Sequence, residues 1–141
     1  MFGSIRTFRR RAFTLIELIA VVVVLAILAG VALPKFLNYA AQAKSSSCKG
    51  ALAIVRSGIA NYRTNAAARG ETEFPSLAQL ELTHAVLVES IPENPYNGSN
   101  DVVAARWNAV APPVNGAAGW NYDPLTGKFW ANSNTAGENG F

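Results

Sequence analysis

The sequence predicts an α+β protein in which one long, kinked N-terminal helix packs on a small antiparallel β-sheet near the C-terminus. Three features predict it: an apolar run over residues 13–33, a helical repeat that continues to about residue 65, and two aromatic segments of alternating polarity near the end of the chain. The chain has 141 residues, of which 50% are apolar and 15% are charged. That is enough for one small folded region.

Residues 1–12 form a short basic leader. Four of the 12 Lys and Arg residues lie here, at Arg6, Arg9, Arg10 and Arg11, and the leader contains no acidic residue. The net charge of +3 therefore originates in the leader. Positive charge directly before an apolar run keeps that end of a chain cytoplasmic. The basic character is a topology signal and gives no evidence for nucleic-acid binding.

Residues 13–33 are predicted to span a membrane as a helix. Only Thr14 and Glu17 are clearly polar in this run, and it contains no Lys, Arg or His. At about 1.5 Å per residue the helix is about 30 Å long, which matches the hydrocarbon core of a bilayer. A carboxylate in that environment costs about 2.5 to 3.5 kcal/mol, so Glu17 requires a partner. Cleavage before Phe13 would create an α-amino group four residues away.

The helix is expected to continue through residues 34–65 as an amphipathic segment. Small and apolar side chains recur there at the spacing of one helical face. They are Phe36, Ala40, Ala43, Ser47, Ala51, Ile54, Gly58 and Tyr62, with Leu52, Val55 and Ile59 widening the stripe. Since the repeat resumes directly after Pro34, this proline is predicted to kink the helix rather than end it. Gly70 is the predicted C-terminal cap.

Residues 66–141 are expected to form the globular region. Ser76 and Gln79 have the spacing of a capping box and predict a short helix. Residues 102–107 are a candidate strand. Residues 120–131 contain two aromatic segments around a Pro-to-Gly turn, which predicts a β-hairpin. Because one face of a hairpin can pack on a helix, half of its aromatic side chains are expected in the core.

Residues 9–36 resemble the N-terminus of type IV pilins and type II secretion pseudopilins. The resemblance rests on the basic leader, on Phe-Thr-Leu-Ile-Glu at residues 13–17, and on a proline after the aliphatic run. In that family a prepilin peptidase cleaves before the Phe and methylates the new amino group. The resemblance therefore implies cleavage between Ala12 and Phe13, with N-methylation of Phe13. Ala12 is a departure, because the family usually has Gly at this position.

The resemblance also implies an assembly role for Glu17, which pairs in the family with the N-terminal amine of an adjacent subunit, and a helix kink at Pro34. It implies a pilin fold and a structural subunit that polymerises through its N-terminal helix into a type IV pilus or a type II secretion pseudopilus. Many type IV pilins close their C-terminal region with a disulfide. A chain whose only cysteine is Cys48 cannot do so, which favours a pseudopilin or a disulfide-free pilin.

The partners implied by the resemblance are further copies of the chain, the prepilin peptidase, and the inner-membrane assembly platform with its ATPase. The implied location is the inner membrane, which the chain spans once with its N-terminus in the cytoplasm. Assembly then places the subunit in a periplasmic or extracellular filament.

Other classes of protein stay open on the sequence alone. A single-pass membrane-anchored binding module that uses the aromatic hairpin predicts no polymerisation and tolerance of Glu17→Leu. A signal peptide cleaved near Leu33 predicts a soluble secreted domain. An enzyme is not expected, because an active site needs clustered titratable groups. The chain has one His and one Cys, which excludes a Cys/His zinc cluster.

No cofactor is expected, although Ca²⁺ is considered. Asp101, Asp123 and nearby loop carbonyls offer the oxygen ligands that hard cations prefer. Major pseudopilins bind Ca²⁺ through a C-terminal loop with carboxylates, so the resemblance points the same way. Asp123 is equally well explained as the first residue of the Asp-Pro-Leu-Thr-Gly turn.

Overall fold

The computed structural model describes residues 13–107 and 112–135, so the predicted leader, including Ala12, lies outside the described residues. The elements in chain order are helix α1 (Leu15–Ala68), helix α2 (Leu77–Glu81) and strands β1 (Val102–Ala104), β2 (Trp120–Asp123) and β3 (Lys128–Ala131). This α+β arrangement of a long N-terminal helix and a small sheet is pilin-like and confirms the predicted fold class. The described residues divide into two compact units, the first ending at Ala40 and the second beginning at Ala41.

The part of α1 in the first unit is exposed throughout. Every residue from 13 to 40 is exposed to solvent. Pro34 lies inside α1, and the helix continues beyond it, as the uninterrupted repeat predicts. The kink expected at Pro34 stays a prediction.

The part of α1 in the second unit buries one face. Leu52, Val55 and Ile59 follow one another at steps of three and four and are at most 2% exposed. Cys48 is buried on the same face. Ile54, which the repeat placed on the core stripe, is 61% exposed. The buried face is therefore centred on the residues that only widened the predicted stripe.

The end of α1 is a Schellman motif. Glu71 N–H donates to the Ala66 carbonyl at 3.0 Å, and Gly70 N–H donates to the Ala67 carbonyl at 3.0 Å. Gly70 has a φ of +83°, a conformation that a residue without Cβ adopts without strain. The prediction of Gly70 as the helix cap is confirmed. The predicted capping box is also present, since Ser76 and Gln79 exchange hydrogen bonds at the start of α2.

The sheet has the order β1-β2-β3 and is mixed rather than antiparallel. The predicted hairpin is present, with β2 antiparallel to β3 and Tyr122 opposite Phe129. Strand β1 pairs with β2 in parallel, with Val102 opposite Trp120. Parallel neighbours need a crossover connection of about a dozen residues or more, and residues 105–119 provide that length. A local turn signal identifies a hairpin but not this longer connection.

One face of the hairpin belongs to the core that α1 covers. Trp120, Tyr122 and Phe129 lie in the same buried cluster as Leu52 and Val55 of the helix. The Trp120 and Phe129 rings are stacked with centroids 5.4 Å apart. These three are among the largest fully buried side chains, and an aromatic side chain buries about 150 to 250 Å².

The opposite face of the hairpin is covered by loops. Pro113 O accepts hydrogen bonds from Asn121 Nδ2 at 2.8 Å and from Trp130 Nε1 at 2.9 Å. The half-buried Trp107 packs edge-on against Trp130, with ring centroids 5.1 Å apart. Trp120, Tyr122, Phe129 and Trp130 are all buried. More of the hairpin aromatic side chains are therefore buried than the predicted half, because loops cover the second face of the hairpin.

Polar tips of core side chains bind carbonyl groups of the loops. Trp120 Nε1 donates to Pro92 O at 2.8 Å, and the Tyr122 hydroxyl donates to Pro75 O at 2.7 Å. Burial raises the pKa of the Tyr122 hydroxyl, helped by the charge of Asp123, so the hydroxyl keeps its proton and stays a donor. These bonds hold the loops against the sheet.

Asp123 closes the turn between β2 and β3. Its side chain is 1% exposed and accepts hydrogen bonds from Trp107 N–H at 3.1 Å and from Leu125 N–H at 3.0 Å. Burial by itself raises the pKa of Asp123, but these backbone hydrogen bonds, the Thr126 side chain and the charge of Arg106 outweigh it. The pKa of Asp123 therefore lies below its ordinary value.

Tyr122→Phe is expected to lower the free energy of unfolding by about 1 to 3 kcal/mol, because it leaves the buried Pro75 carbonyl without its donor. Urea unfolding of the full chain in detergent, followed by tryptophan fluorescence, measures the loss. Tyr39→Phe removes an exposed hydroxyl and serves as the control. Equal stability of the two variants would contradict the assigned role of the Tyr122 hydrogen bond.

The stability of the folded unit is expected to decline in acid through Asp123. The unfolded-state pKa of Asp is about 3.9, and the folded-state value is lower. The stabilisation is therefore complete above the unfolded-state pKa and is lost as the pH falls through the folded-state pKa. Thermal unfolding between about pH 6 and pH 2 measures it. Asp123→Asn is expected to be less stable at neutral pH and to show a shallower acid dependence, and equal slopes would refute this account.

Candidate processing and assembly segment

The first turn of α1 is capped by its own side chains. Glu17 N–H donates to Thr14 Oγ1 at 3.3 Å, and the Thr14 hydroxyl donates to Glu17 Oε2 at 3.5 Å. The Thr14 carbonyl accepts from Leu18 N–H at 3.2 Å. Thr14 is thus the N-cap of α1, with Glu17 at the third helical position. Phe13 is the last residue before the capped helix.

Residues 13–33 present an apolar surface that is exposed in the described part of the chain. Its large apolar side chains are between 48% and 76% exposed. They are Phe13, Leu15, Ile16, Leu18, Ile19, Val21, Val22, Val23, Val24, Leu25, Ile27, Leu28, Val31 and Leu33. By its length and composition, α1 is long and apolar enough to cross a membrane. An apolar surface of this extent requires lipid or a protein partner.

Glu17 is the only charged residue between Phe13 and Leu33. Its carboxylate contacts the Thr14 hydroxyl at 3.5 Å, which is the outer limit of a hydrogen bond. A hydroxyl at that distance does not neutralise a carboxylate removed from water. A cation from elsewhere would therefore stabilise this carboxylate once lipid or protein covers the segment.

The structure places the predicted site residues as follows. Phe13 and Glu17 lie at the first turn of α1, Pro34 lies within α1, and Ala12 lies outside the described residues. The processing, assembly and kink roles of these residues stay predictions. The contact between Thr14 and Glu17 was not predicted, although Thr-x-x-Glu has the spacing of a capping box.

The two aspartates considered for Ca²⁺ make hydrogen bonds within the protein. Both oxygens of Asp123 accept backbone N–H groups. Asp101 Oδ2 accepts from the Ser99 hydroxyl at 3.2 Å. Within residues 13–107 and 112–135, no three His, Cys, Asp or Glu side chains form a group suited to a metal ion. Binding of Ca²⁺ stays untested.

Residues 7–33 match the model of the prokaryotic N-terminal methylation motif. The chain is 33% identical to the type IV major pilin protein PilA of Myxococcus xanthus (strain DK1622), over 80% of this chain and 63% of that protein. It thus spans less than two thirds of the length of that relative. No solved structure matches the chain. The chain therefore carries a prokaryotic N-terminal methylation motif and is similar over most of its length to a type IV major pilin, in agreement with the family resemblance of residues 9–36.

Proposed function

We propose that this chain is the precursor of a structural filament subunit and not an enzyme. A prepilin peptidase cleaves it between Ala12 and Phe13 and methylates the new N-terminus, and the product polymerises through residues 13–33 into a type IV pilus. The observation that carries the proposal is an exposed apolar helix with a single carboxylate, Glu17, inside a matched methylation motif.

Cleavage changes the charge at the start of α1. Hydrolysis of the Ala12–Phe13 amide leaves a carboxylate on Ala12 and an amine on Phe13. It removes the leader with its four arginines, which hold that end of the chain in the cytoplasm. An α-amino group has a pKa of about 7.7 to 8.0 and keeps its positive charge after methylation. Each processed copy then presents one cation and one anion at the same end of its helix.

Pairing of these charges between copies supplies the partner that Glu17 lacks. A carboxylate in the apolar phase is costly when it is alone and much less so when it is paired and hydrogen-bonded. A copy whose Glu17 meets the Phe13 amine of its neighbour is stabilised relative to a copy in any other register. The pair therefore selects the correct position of an incoming subunit.

Small residues allow the helices to approach one another. Ala26, Ala29 and Gly30 lie within the apolar run, and a Cβ built on Gly30 meets no atom within 4 Å. Close backbone approach at such positions favours the packing of apolar helices, which in lipid depends on van der Waals contact. The apolar surface of residues 13–33 thus serves first as the membrane anchor and then as the filament core. Before assembly the subunit resides in the inner membrane with its N-terminus cytoplasmic, and an assembly platform with an ATPase moves it into the filament.

A type II secretion pseudopilus is the second candidate. Cys48 is the only cysteine and is buried, so the disulfide that closes many type IV pilins is absent. The similarity to a type IV major pilin favours the pilus, and the assembly chemistry is the same in both cases.

The native protein is expected to begin at methylated Phe13. Intact mass and N-terminal sequencing of the chain purified from its own membrane measure the start and the added methyl group. Ala12→Gly is the matched variant and is expected to be cleaved at least as completely, because Gly is the usual residue of the family there. A start near Leu33 would show a cleaved signal peptide, and a start at Met1 would show a plain anchor. Either result would refute the proposal.

Glu17→Leu is expected to abolish filaments without preventing membrane insertion or cleavage, because the variant loses its pairing charge and keeps the apolar run. Filaments are measured by electron microscopy and by the amount of chain in the sheared cell-surface fraction. The mass of the variant controls for cleavage, and Ile16→Leu controls for a change of side chain in the same turn. Normal filaments from Glu17→Leu would contradict the assembly role proposed for Glu17.

A further inference from the structure

The charges of the chain are segregated along the sequence. Residues 18–69 contain six basic residues and no acid, whereas residues 70–105 contain six acids and no Lys or Arg. The basic residues are Lys35, Lys44, Lys49, Arg56, Arg63 and Arg69, and the acids are Glu71, Glu73, Glu81, Glu89, Glu93 and Asp101. All twelve are exposed. One copy thus presents a basic helix and acidic loops.

An apolar groove of about 700 Å³ lies beside the acidic loops in the second unit. Its walls include Ile54 and Gly58 of α1 and Val86, Val88 and Glu89 of the loop that follows α2. Ile54 is 61% exposed and Val88 is 77% exposed, so both offer apolar area to a partner.

Gly58 shapes the groove. A Cβ at this position would lie 2.5 Å from Leu87 Cδ2 and 3.1 Å from the Val86 carbonyl. Glycine at this position lets the loop of residues 86–88 lie close to α1, because a Cβ would displace the Leu87 side chain and press on the Val86 carbonyl. The same face becomes acidic further along, where Glu81 and Asp101 line an adjoining hollow that shares Ser90 with the groove.

We propose that this groove, defined by Ile54, Gly58, Val86, Val88 and Glu89, binds the helix face of Lys35, Phe36 and Tyr39 of a second copy of the chain. The inference rests on the proposed filament function and names a contact within it. In this contact, the apolar groove carries the carboxylate of Glu89, and the apolar helix face that binds it carries the cation of Lys35.

The three residues of the helix face are suited to this groove. At 3.6 residues per turn, Lys35, Phe36 and Tyr39 lie within about 100° of one another on α1. Phe36 is 69% exposed and Tyr39 is 65% exposed. Aromatic side chains in an apolar cleft with a charge at its edge have the composition of an interface anchor. These residues directly follow the predicted membrane run, so water and a neighbouring copy can reach them.

The geometry of the pairing agrees with a filament. The groove and the helix face are two different patches of one chain, so each copy offers both. Head-to-tail contacts between two different patches produce an open helical assembly when they do not close into a ring. A two-fold dimer would instead need both contacts to form reciprocally between the same two copies.

The first test replaces Phe36 in the full chain with a photocrosslinking benzophenone amino acid. Filaments grown from a mixture of isotope-labelled and unlabelled copies are irradiated, and mass spectrometry maps the crosslinked peptides. Crosslinks between copies are expected within residues 53–61 or 86–92. The same amino acid at Leu37, which points to the other side of α1, is the control and is expected to miss these segments.

The second test exchanges the charges. Glu89→Lys and Lys35→Glu are each expected to lower the Phe36 crosslink yield about threefold or more, and the double variant is expected to restore most of it. Both residues are exposed, so the variants are expected to fold. Glu93→Lys makes the same change on the same loop outside the groove and is expected to leave the yield unchanged.

The outcomes separate this contact from the filament function. Filaments in which Phe36 crosslinks only to lipid, to other parts of the neighbouring copy or to nothing would overturn the contact and leave the function intact. If both charge reversals act but the double variant gives no recovery, the pairing of Lys35 with Glu89 is wrong. A wild-type chain that forms no filament under any condition would overturn the function and this contact together.

Discussion

The rest of the structure depends on one constraint: among the described residues, those from 13 to 40 are all exposed, so the second unit must be stable through its own core. It meets this requirement with few residues by burying both faces of β2. Trp120 and Tyr122 face α1, and Asn121 and Asp123 face the loops, all at most 3% exposed. Every buried side-chain nitrogen or oxygen of the described residues has a hydrogen-bond partner. A small domain with a single cysteine therefore needs no disulfide to hold its loops in place.

The local features of the fold could be predicted from the sequence. The capping box was predicted from Ser76 and Gln79, the end of α1 from Gly70, and the hairpin from the turn at residues 123–127. In each case the residues that interact are close together in the chain. The parallel pairing of β1 with β2 was not predicted. It depends on the long connection between the two strands, which has no local sequence signal of the kind that marks a tight turn. Burial of the second hairpin face was missed for the same reason.

The exact face of α1 that is buried could not be read from its periodicity. More than half of the residues between 41 and 62 are small or apolar. A helical spacing of three and four residues therefore fits two adjacent stripes on the surface of α1. The sheet selects the stripe of Leu52, Val55 and Ile59 and leaves Ile54 in solvent. In the segment proposed for processing, the sequence predicted roles for Phe13 and Glu17, and these roles stay predictions. The structure added the Thr14 cap, which the Thr-x-x-Glu spacing encodes.

The two proposed contacts between copies differ in the medium that surrounds them, and the two contacts therefore have different roles in assembly. In the proposed filament, Glu17 and the Phe13 amine of a neighbour meet in a phase without water, where a mismatched charge is costly and salt has little access. Lys35 and Glu89 meet at the aqueous edge of an apolar groove, where an ion pair contributes little and is screened by salt. The first contact therefore specifies the axial position of a subunit. The second relies on the apolar area of Phe36 and Tyr39 for strength and on charge for the choice of which faces meet.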